Sequence, residues 1–193
     1  MFDTRVIHPT LIGQLWPEKT VDVLRWGVLI LAGSLFLTAC AQITVWQEPV
    51  PVTMQTFGVL VIGAVYGARL GAATVLAYLV EGAIGLPVFA GMMGGPMVLV
   101  GPTGGYLVGF LLAAAAVGWL AERGWDRNVV TMAVAMLIGN ILLYVPGLAW
   151  LTSLIGWNSA IEFGLVPFIW GDLVKLLAAA VLLPVAWQFV RRP

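Results

Sequence analysis

The chain has 193 residues, of which 61% are hydrophobic and only 9% charged, with nine Lys+Arg balanced by nine Asp+Glu. A soluble domain is about 45–50% apolar and about 25% charged, so this composition excludes a water-facing surface on all sides, and its neutrality excludes the basic footprint of a nucleic-acid binder. One cysteine, Cys40, and one histidine, His8, exclude an intramolecular disulfide framework and a cysteine metal site and remove most histidine-dependent catalysis. An integral membrane protein remains, in which each polar residue within a span needs an explanation.

In chain order, the first 25 or so residues carry Asp3, Arg5, Glu18, Lys19 and Asp22 and lack a clean apolar stretch, so they read as a cytoplasmic N-terminal segment rather than a secretory signal. Leu11, Ile12, Leu15 and Trp16 suit a short interfacial segment limited by Pro17. A helix needs about 20 apolar residues to cross the hydrocarbon layer. Six candidate spans follow, at about 26–46, 54–68, 70–86, 104–120, 129–151 and 164–190. The second and third are separated only by Gly67, Ala68 and Arg69. One helix through both would place Arg69 deep in lipid, at a cost of about 2.5–3.5 kcal/mol, so a tight turn is expected there. With six spans, Arg5, Lys19, Arg25, Arg69, Arg123, Arg127, Arg191 and Arg192 share one face and the opposite loops have no Lys or Arg. The positive-inside rule makes that face cytoplasmic. The expected fold is therefore an all-α integral membrane protein, one transmembrane domain over 1–193, with a single six-helix bundle at about 26–190 and both termini cytoplasmic. Trp26, Trp119, Trp125 and Trp187 fall near inner span ends and Trp46 and Trp157 near outer ones, as an interfacial belt would place them.

Small residues recur at a spacing of four: Gly63, Gly67 and Gly71 in one row, and Gly101, Gly105, Gly109 and Ala113 in another. Such rows bring helix backbones together in lipid, and packing within the chain is favoured over a docking face. The connection at 85–110, GLPVFAGMMGGPMVLVGPTGGYLVGF, is uncharged and rich in glycine. That pattern suits a loop folded back on the bundle as a lid or pocket wall. The first outer loop, WQEPVPVTMQTF, offers Gln47, Thr53, Gln55 and Thr56, either as hydrogen-bonding groups at a pocket mouth or as caps of the second helix.

Within the spans the ionisable residues are Glu81, Asp172 and Lys175. Such groups are costly in a bilayer and default to functional candidates. Asp172 and Lys175 are three apart on one helix and project from one face, in the outer half of the membrane. A structural ion pair is the competing reading, but buried pairs stabilise weakly, and binding is preferred. Asn140 suits a helix–helix hydrogen bond, Tyr144 one turn above it suits either role, and Glu81 either rims the pocket or serves it.

Four segments together resemble the BioY family, the biotin-specific S components of energy-coupling-factor (ECF) transporters: VPVTMQTF (50–57), GLPVFAG (85–91), GPTGGYLVGF (101–110) and GDLVK (171–175). They occur in the family's order and spacing. The resemblance implies high-affinity capture of biotin from outside, in a pocket closed by the first and third loops, with Asp172 and Lys175 contacting the ligand. It further implies contributions from Thr53 and Gln55 of the first loop and from Met93, Gly94 and Gly95 of the glycine loop, where some relatives carry an asparagine at the position of Met93. Tyr144 and Trp170 would add apolar and aromatic contact. The family's A-x-x-x-A docking pattern is absent from the first span, where Ser34 and Thr38 give a polar analogue. By this resemblance the chain is a multi-pass protein of the prokaryotic plasma (inner) membrane, not an enzyme, with no cofactor of its own. Biotin is its transported ligand, and partner subunits use the ATP: a transmembrane coupling (T) component and ABC ATPases. The alternative is a stand-alone secondary carrier with Asp172 as the proton-coupled group.

Overall fold

The computed structural model describes residues 9–16, 23–46 and 50–190. His8, Gln47 and the terminal cations Arg5, Lys19, Arg191 and Arg192 lie outside the described residues. A short α1 (Leu11–Leu15) is followed by α2 (Val23–Gln42), a two-stranded hairpin of β1 (Thr44–Trp46) and β2 (Val52–Thr53), then α3 (Gln55–Tyr66) and α4 (Ala68–Ala83). Beyond a long loop come α5 (Pro96–Val100), α6 (Gly104–Ala121), α7 (Val129–Ile155), α8 (Trp157–Gly164) and α9 (Ile169–Val190). The stretches Val23–Gln42, Gly104–Ala121, Val129–Ile155 and Trp157–Val190 are long and apolar enough to cross a membrane; α3 is apolar but shorter. At 1.5 Å per residue α3 and α4 measure roughly 18 and 24 Å, against a hydrocarbon layer of about 30 Å. The antiparallel hairpin, which pairs Thr44 with Thr53, and an isolated bridge between Phe89 and Met93 depart from an all-helical chain.

The break between α3 and α4 falls where the arginine demanded it. Gly67 adopts φ +83°, and a Cβ there would lie 2.6 Å from Glu122 Oε1, so the turn needs glycine for both conformation and space. Glu122 closes the turn by accepting the Ala68 N–H at 2.9 Å, and Arg69 stands exposed just beyond. Glu122→Ala is expected to cost roughly 1 kcal/mol, the usual worth of a helix N-terminal cap. Thermal unfolding in detergent would measure it, and an unchanged Tm would show that the turn holds without this acceptor.

The bundle is organised on α6, which packs against α3, α4 and α7. Its approach to its neighbours is set by glycine. A Cβ on Gly109 would sit 2.5 Å from the Leu143 carbonyl oxygen, and one on Gly63 2.5 Å from that of Ala114. Both small-residue rows are thus used inside the chain, as backbone-to-backbone contacts that any side chain would prise apart. Around them α9 packs on α7 and α3, α2 on α3 and α4, and α1 on α3 and α9. The core runs continuously through Leu37, Val59, Val75, Val117, Met132, Met136 and Leu143.

Several sequence expectations are corrected. The fifth helix does not stop at 151 but runs to Ile155, where Gly156 at φ +82° ends it. The sixth does not begin at 164. Pro167 imposes a 3-10 turn over Val166–Phe168, so α8 and α9 are separate helices. Trp187 is not part of an exposed belt. It is 2% exposed and donates its indole N–H to Asp126 Oδ2 at 2.5 Å, while the Arg127 guanidinium stacks on its ring. Asp126 and Arg25, both outside the expected set of buried charges, are themselves buried. Ser34 is buried, and its hydroxyl donates to Glu81 Oε2.

Candidate functional site

At the hairpin end of the bundle, α9 turns one face toward α3 and α7. Asp172 and Lys175 both lie on it, one turn apart, and form an ion pair of 2.8 Å with 8% and 11% of their side-chain surfaces exposed. The rest of their hydrogen-bonding capacity is met from distant segments. Asp172 Oδ1 accepts from the Thr56 hydroxyl at 3.0 Å and Oδ2 from the Tyr144 hydroxyl at 2.6 Å. The Lys175 ammonium donates to the Thr53 carbonyl at 2.7 Å and to Thr56 Oγ1 at 3.0 Å as well as to Asp172. Three acceptors use all three of its protons. This full satisfaction makes a buried charge pair tolerable in a low-dielectric setting.

The partners of the ion pair, though not Asp172 or Lys175 themselves, line a cavity of about 40 Å³. Thr56 and Tyr144 are in its wall with Thr53 and Gln55, and the apolar remainder comes mainly from Val50, Pro51, Leu107, Phe110, Leu143 and Phe168. Tyr106, Tyr144 and Phe168 interlock as an aromatic cluster, with ring centroids 6.0–6.4 Å apart, and Tyr106 is pinned by its hydroxyl to the Gly164 carbonyl at 2.8 Å. A second cavity of about 20 Å³ lies alongside and shares Pro51, Gln55, Thr103 and Leu107 with the first. Small-molecule pockets measure about 300–1,000 Å³, well above either cavity.

The two loops that cover the cavity are tied to each other. Gln55 Nε2 donates to the Tyr78 hydroxyl at 2.7 Å, and Tyr78 donates in turn to the Val88 carbonyl at 2.9 Å. Thr53 Oγ1 accepts the Gln55 N–H at 3.0 Å, so it both tightens the first turn of α3 and belongs to the pocket. From the other side, Gln42 at the end of α2 donates to the Phe89 carbonyl and accepts the Met92 N–H. That clamp holds Met92 at φ +59°, a left-handed conformation rare for a non-glycine residue. Phe89 packs edge-on against Tyr78, with its ring over Gly82.

Of the nine site residues expected from the sequence, Thr53, Gln55, Tyr144, Asp172 and Lys175 converge here. Met93 faces the smaller cavity, and Gly94 and Gly95 line neither. Gly94 lets the loop fold onto the Leu86 carbonyl, 2.3 Å from where its Cβ would be, and Gly95 turns at φ +98° into α5. Trp170 stands apart, 76% exposed. It precedes Asp172 by two residues, about 200° around the helix, so it looks out of the bundle when Asp172 looks in. Thr56, Tyr106, Phe168 and Tyr78 complete the site. Tyr106 lies within GPTGGYLVGF, and its place in that glycine-rich run is the signal that marks it.

These features define a helical membrane protein with a buried acid–base pair beside a small cavity at one end of its bundle, covered by two linked loops. The chain belongs to the BioY family, whose sequence model matches residues 16–192. It is 40% identical over 142 residues to the "Probable biotin transporter BioY" of Pyrococcus horikoshii, covering 74% of this chain and 83% of that one. It is 40% identical over 157 residues to the biotin transporter BioY of Thermotoga maritima, covering 80% and 92%. Its fold is similar to the 2.1 Å crystal structure of the S-component for biotin from an ECF-type ABC transporter, with TM-score 0.77 and 25% identity over 86% of this chain and 92% of that one.

Proposed function

We propose that this chain captures biotin at the outer face of the prokaryotic plasma membrane and delivers it to uptake as the substrate-binding subunit of an ECF-type ABC transporter. The observation that carries the reading is the Asp172–Lys175 pair, joined through Thr56 and Tyr144 to a loop-covered cavity, in a chain of the BioY family. Biotin presents two ureido N–H donors, a carbonyl, an apolar thioether ring and a carboxylate. Asp172 accepts from a ureido N–H, Lys175 gives up one of its three present acceptors to donate to the carbonyl or meet the carboxylate, and Tyr106, Phe110 and Phe168 receive the apolar ring. In this reading Thr53 and Gln55 bound the pocket mouth, and Met93, Gly94 and Gly95 belong to the lid.

In the same reading all six longer helices, α2, α3, α4, α6, α7 and α9, cross the bilayer, with α3 and α4 short and both termini cytoplasmic. The basic residues on the Arg69–Arg123–Arg127 face support that orientation. The chain carries no nucleotide-binding motif, so the ATPase and transmembrane coupling subunits are separate partners.

Proteoliposomes containing only this chain test the reading. The expected result is saturable biotin binding without protonophore-sensitive accumulation. Uptake that a protonophore collapses would replace it with the proton-coupled carrier, and absence of biotin binding would end both.

A further inference from the structure

Gln42 is the last residue of α2, yet its side chain does not serve its own helix. A side chain that only capped α2 would donate to that helix's last carbonyls. Instead Nε2 donates to the Phe89 carbonyl at 3.0 Å and Oε1 accepts the Met92 N–H at 3.1 Å, 47 and 50 positions along the chain.

The two bonds grip a tight turn. The Phe89 N–H donates to the Met93 carbonyl at 3.0 Å and bridges those residues, with Gly91 and Met92 between them at φ +67° and +59°. Methionine takes that conformation only at a cost, and an outside acceptor for its N–H offsets the cost. The base of the loop is anchored elsewhere. The Leu86 N–H donates to the Glu81 carbonyl at 3.1 Å and the Gly95 N–H to the Gly82 carbonyl at 2.7 Å, both on α4. The tip thus reaches from α4 across to α2, where Gln42 receives it. Phe89, Ala90 and Met93 of this turn wall the smaller cavity, whereas Gln42 lines neither of the two cavities. A molecule held there feels Gln42 only through the turn.

We propose that Gln42 is a positioning residue for ligand retention: its amide holds the 89–93 turn as a wall of the smaller cavity, and this pair of bonds sets the rate at which a bound molecule leaves. The proposal rests on the reading above in taking that molecule to be biotin. The two bonds run in opposite directions, and an amide offers a donor and an acceptor on one planar group. Glutamate only accepts, and an apolar residue does neither. The Met92 bond is exposed, so water competes for its groups. It therefore breaks more readily than the buried Gln55–Tyr78 bond, and the tip is the part of the loop released first.

The test follows radiolabelled biotin on the detergent-purified protein in wild type, Gln42→Met and Gln42→Glu. Association is read by filter binding over time and dissociation by a chase with unlabelled biotin. Methionine is close to glutamine in length and helix preference and removes both bonds. Glutamate keeps the acceptor for the Met92 N–H and loses the donor to the Phe89 carbonyl. The expected result is dissociation at least about fivefold faster in Gln42→Met, the worth of roughly one or two hydrogen bonds, and a smaller acceleration in Gln42→Glu. Association is expected to stay within about twofold, since changes of this kind act mostly on dissociation, with thermal unfolding unchanged. In the ligand-free variants, hydrogen–deuterium exchange is expected to rise at 89–93 while α4 stays protected. If Gln42→Met fails to fold, Gln42→Glu still decides. Wild-type dissociation in both variants would overturn the proposal. Slowed association with unchanged dissociation would overturn it too, by assigning Gln42 to entry rather than retention. Failure of the wild-type chain to bind biotin would overturn the functional reading and the retention role together, a result distinct from the other two, in which wild type binds.

Discussion

Asp172→Asn is expected to weaken biotin binding at least tenfold, or about 1.4 kcal/mol. The carboxylate accepts from Thr56, Tyr144 and Lys175. An amide of the same shape has one acceptor oxygen and turns an NH2 toward one set of these donors, so at least one must reorient. It also removes the countercharge of an ammonium that is 11% exposed. Lys175→Ala is expected to act at least as strongly on affinity, and more strongly on stability. Breaking a buried pair from one side typically costs about 3–5 kcal/mol, because the remaining charge is left uncompensated. The double variant Asp172→Asn/Lys175→Ala should therefore unfold at a higher temperature than Lys175→Ala alone, while binding no better. Titration calorimetry and thermal unfolding on detergent-purified protein read both quantities. Wild-type affinity in both single variants would remove these residues from the ligand site.

Gly82→Ala is expected to act from a distance, by lifting the lid. A Cβ at this position would fall 2.0–2.6 Å from three carbons of the Phe89 ring, so the ring must leave its place against Tyr78. Overpacking of this kind costs about 1–3 kcal/mol. Tyr78 is also where the two covering loops meet, since its hydroxyl bonds both Gln55 and Val88. The expected phenotype is a five- to tenfold loss of biotin affinity together with faster proteolysis within residues 84–103. Gly27→Ala is the control: nothing lies within 4 Å of a Cβ there, and alanine suits a helix interior by up to about 1 kcal/mol better than glycine. If Gly82→Ala behaves like Gly27→Ala, the Phe89 contact has no part in holding the loop.

Much of the site was legible because helical spacing is local. Asp172 and Lys175 had to share a face, and Tyr144 had to stand one turn from Asn140. The same arithmetic carried through would have turned Trp170 outward, since two residues along a helix is nearly the opposite side. What spacing cannot deliver is which faces meet. Thr56 is separated from Asp172 by 116 positions, and their bond exists because α3 and α9 pack together. Gln55 reaches Tyr78 because the first turn of α3 abuts α4. Trp187 read as an interfacial residue, from its place near a span end, until the turn before α7 carried Asp126 beneath it.

The sequence by itself determined that this chain belongs in a bilayer, that a turn separates its second and third spans and which acid and base lie on one face. Each of those follows from free energies that accumulate residue by residue: transfer of apolar groups from water, the cost of Arg69 in lipid, and the backbone freedom of Gly67. The tertiary structure alone decided that the pair closes against Thr56 and Tyr144, and that Gln42 and Tyr78 tie down the loop at 84–103. Those outcomes depend on helix separations fixed by Gly63, Gly105 and Gly109. A contact between distant segments is a property of how surfaces fit, and no sum over positions contains it.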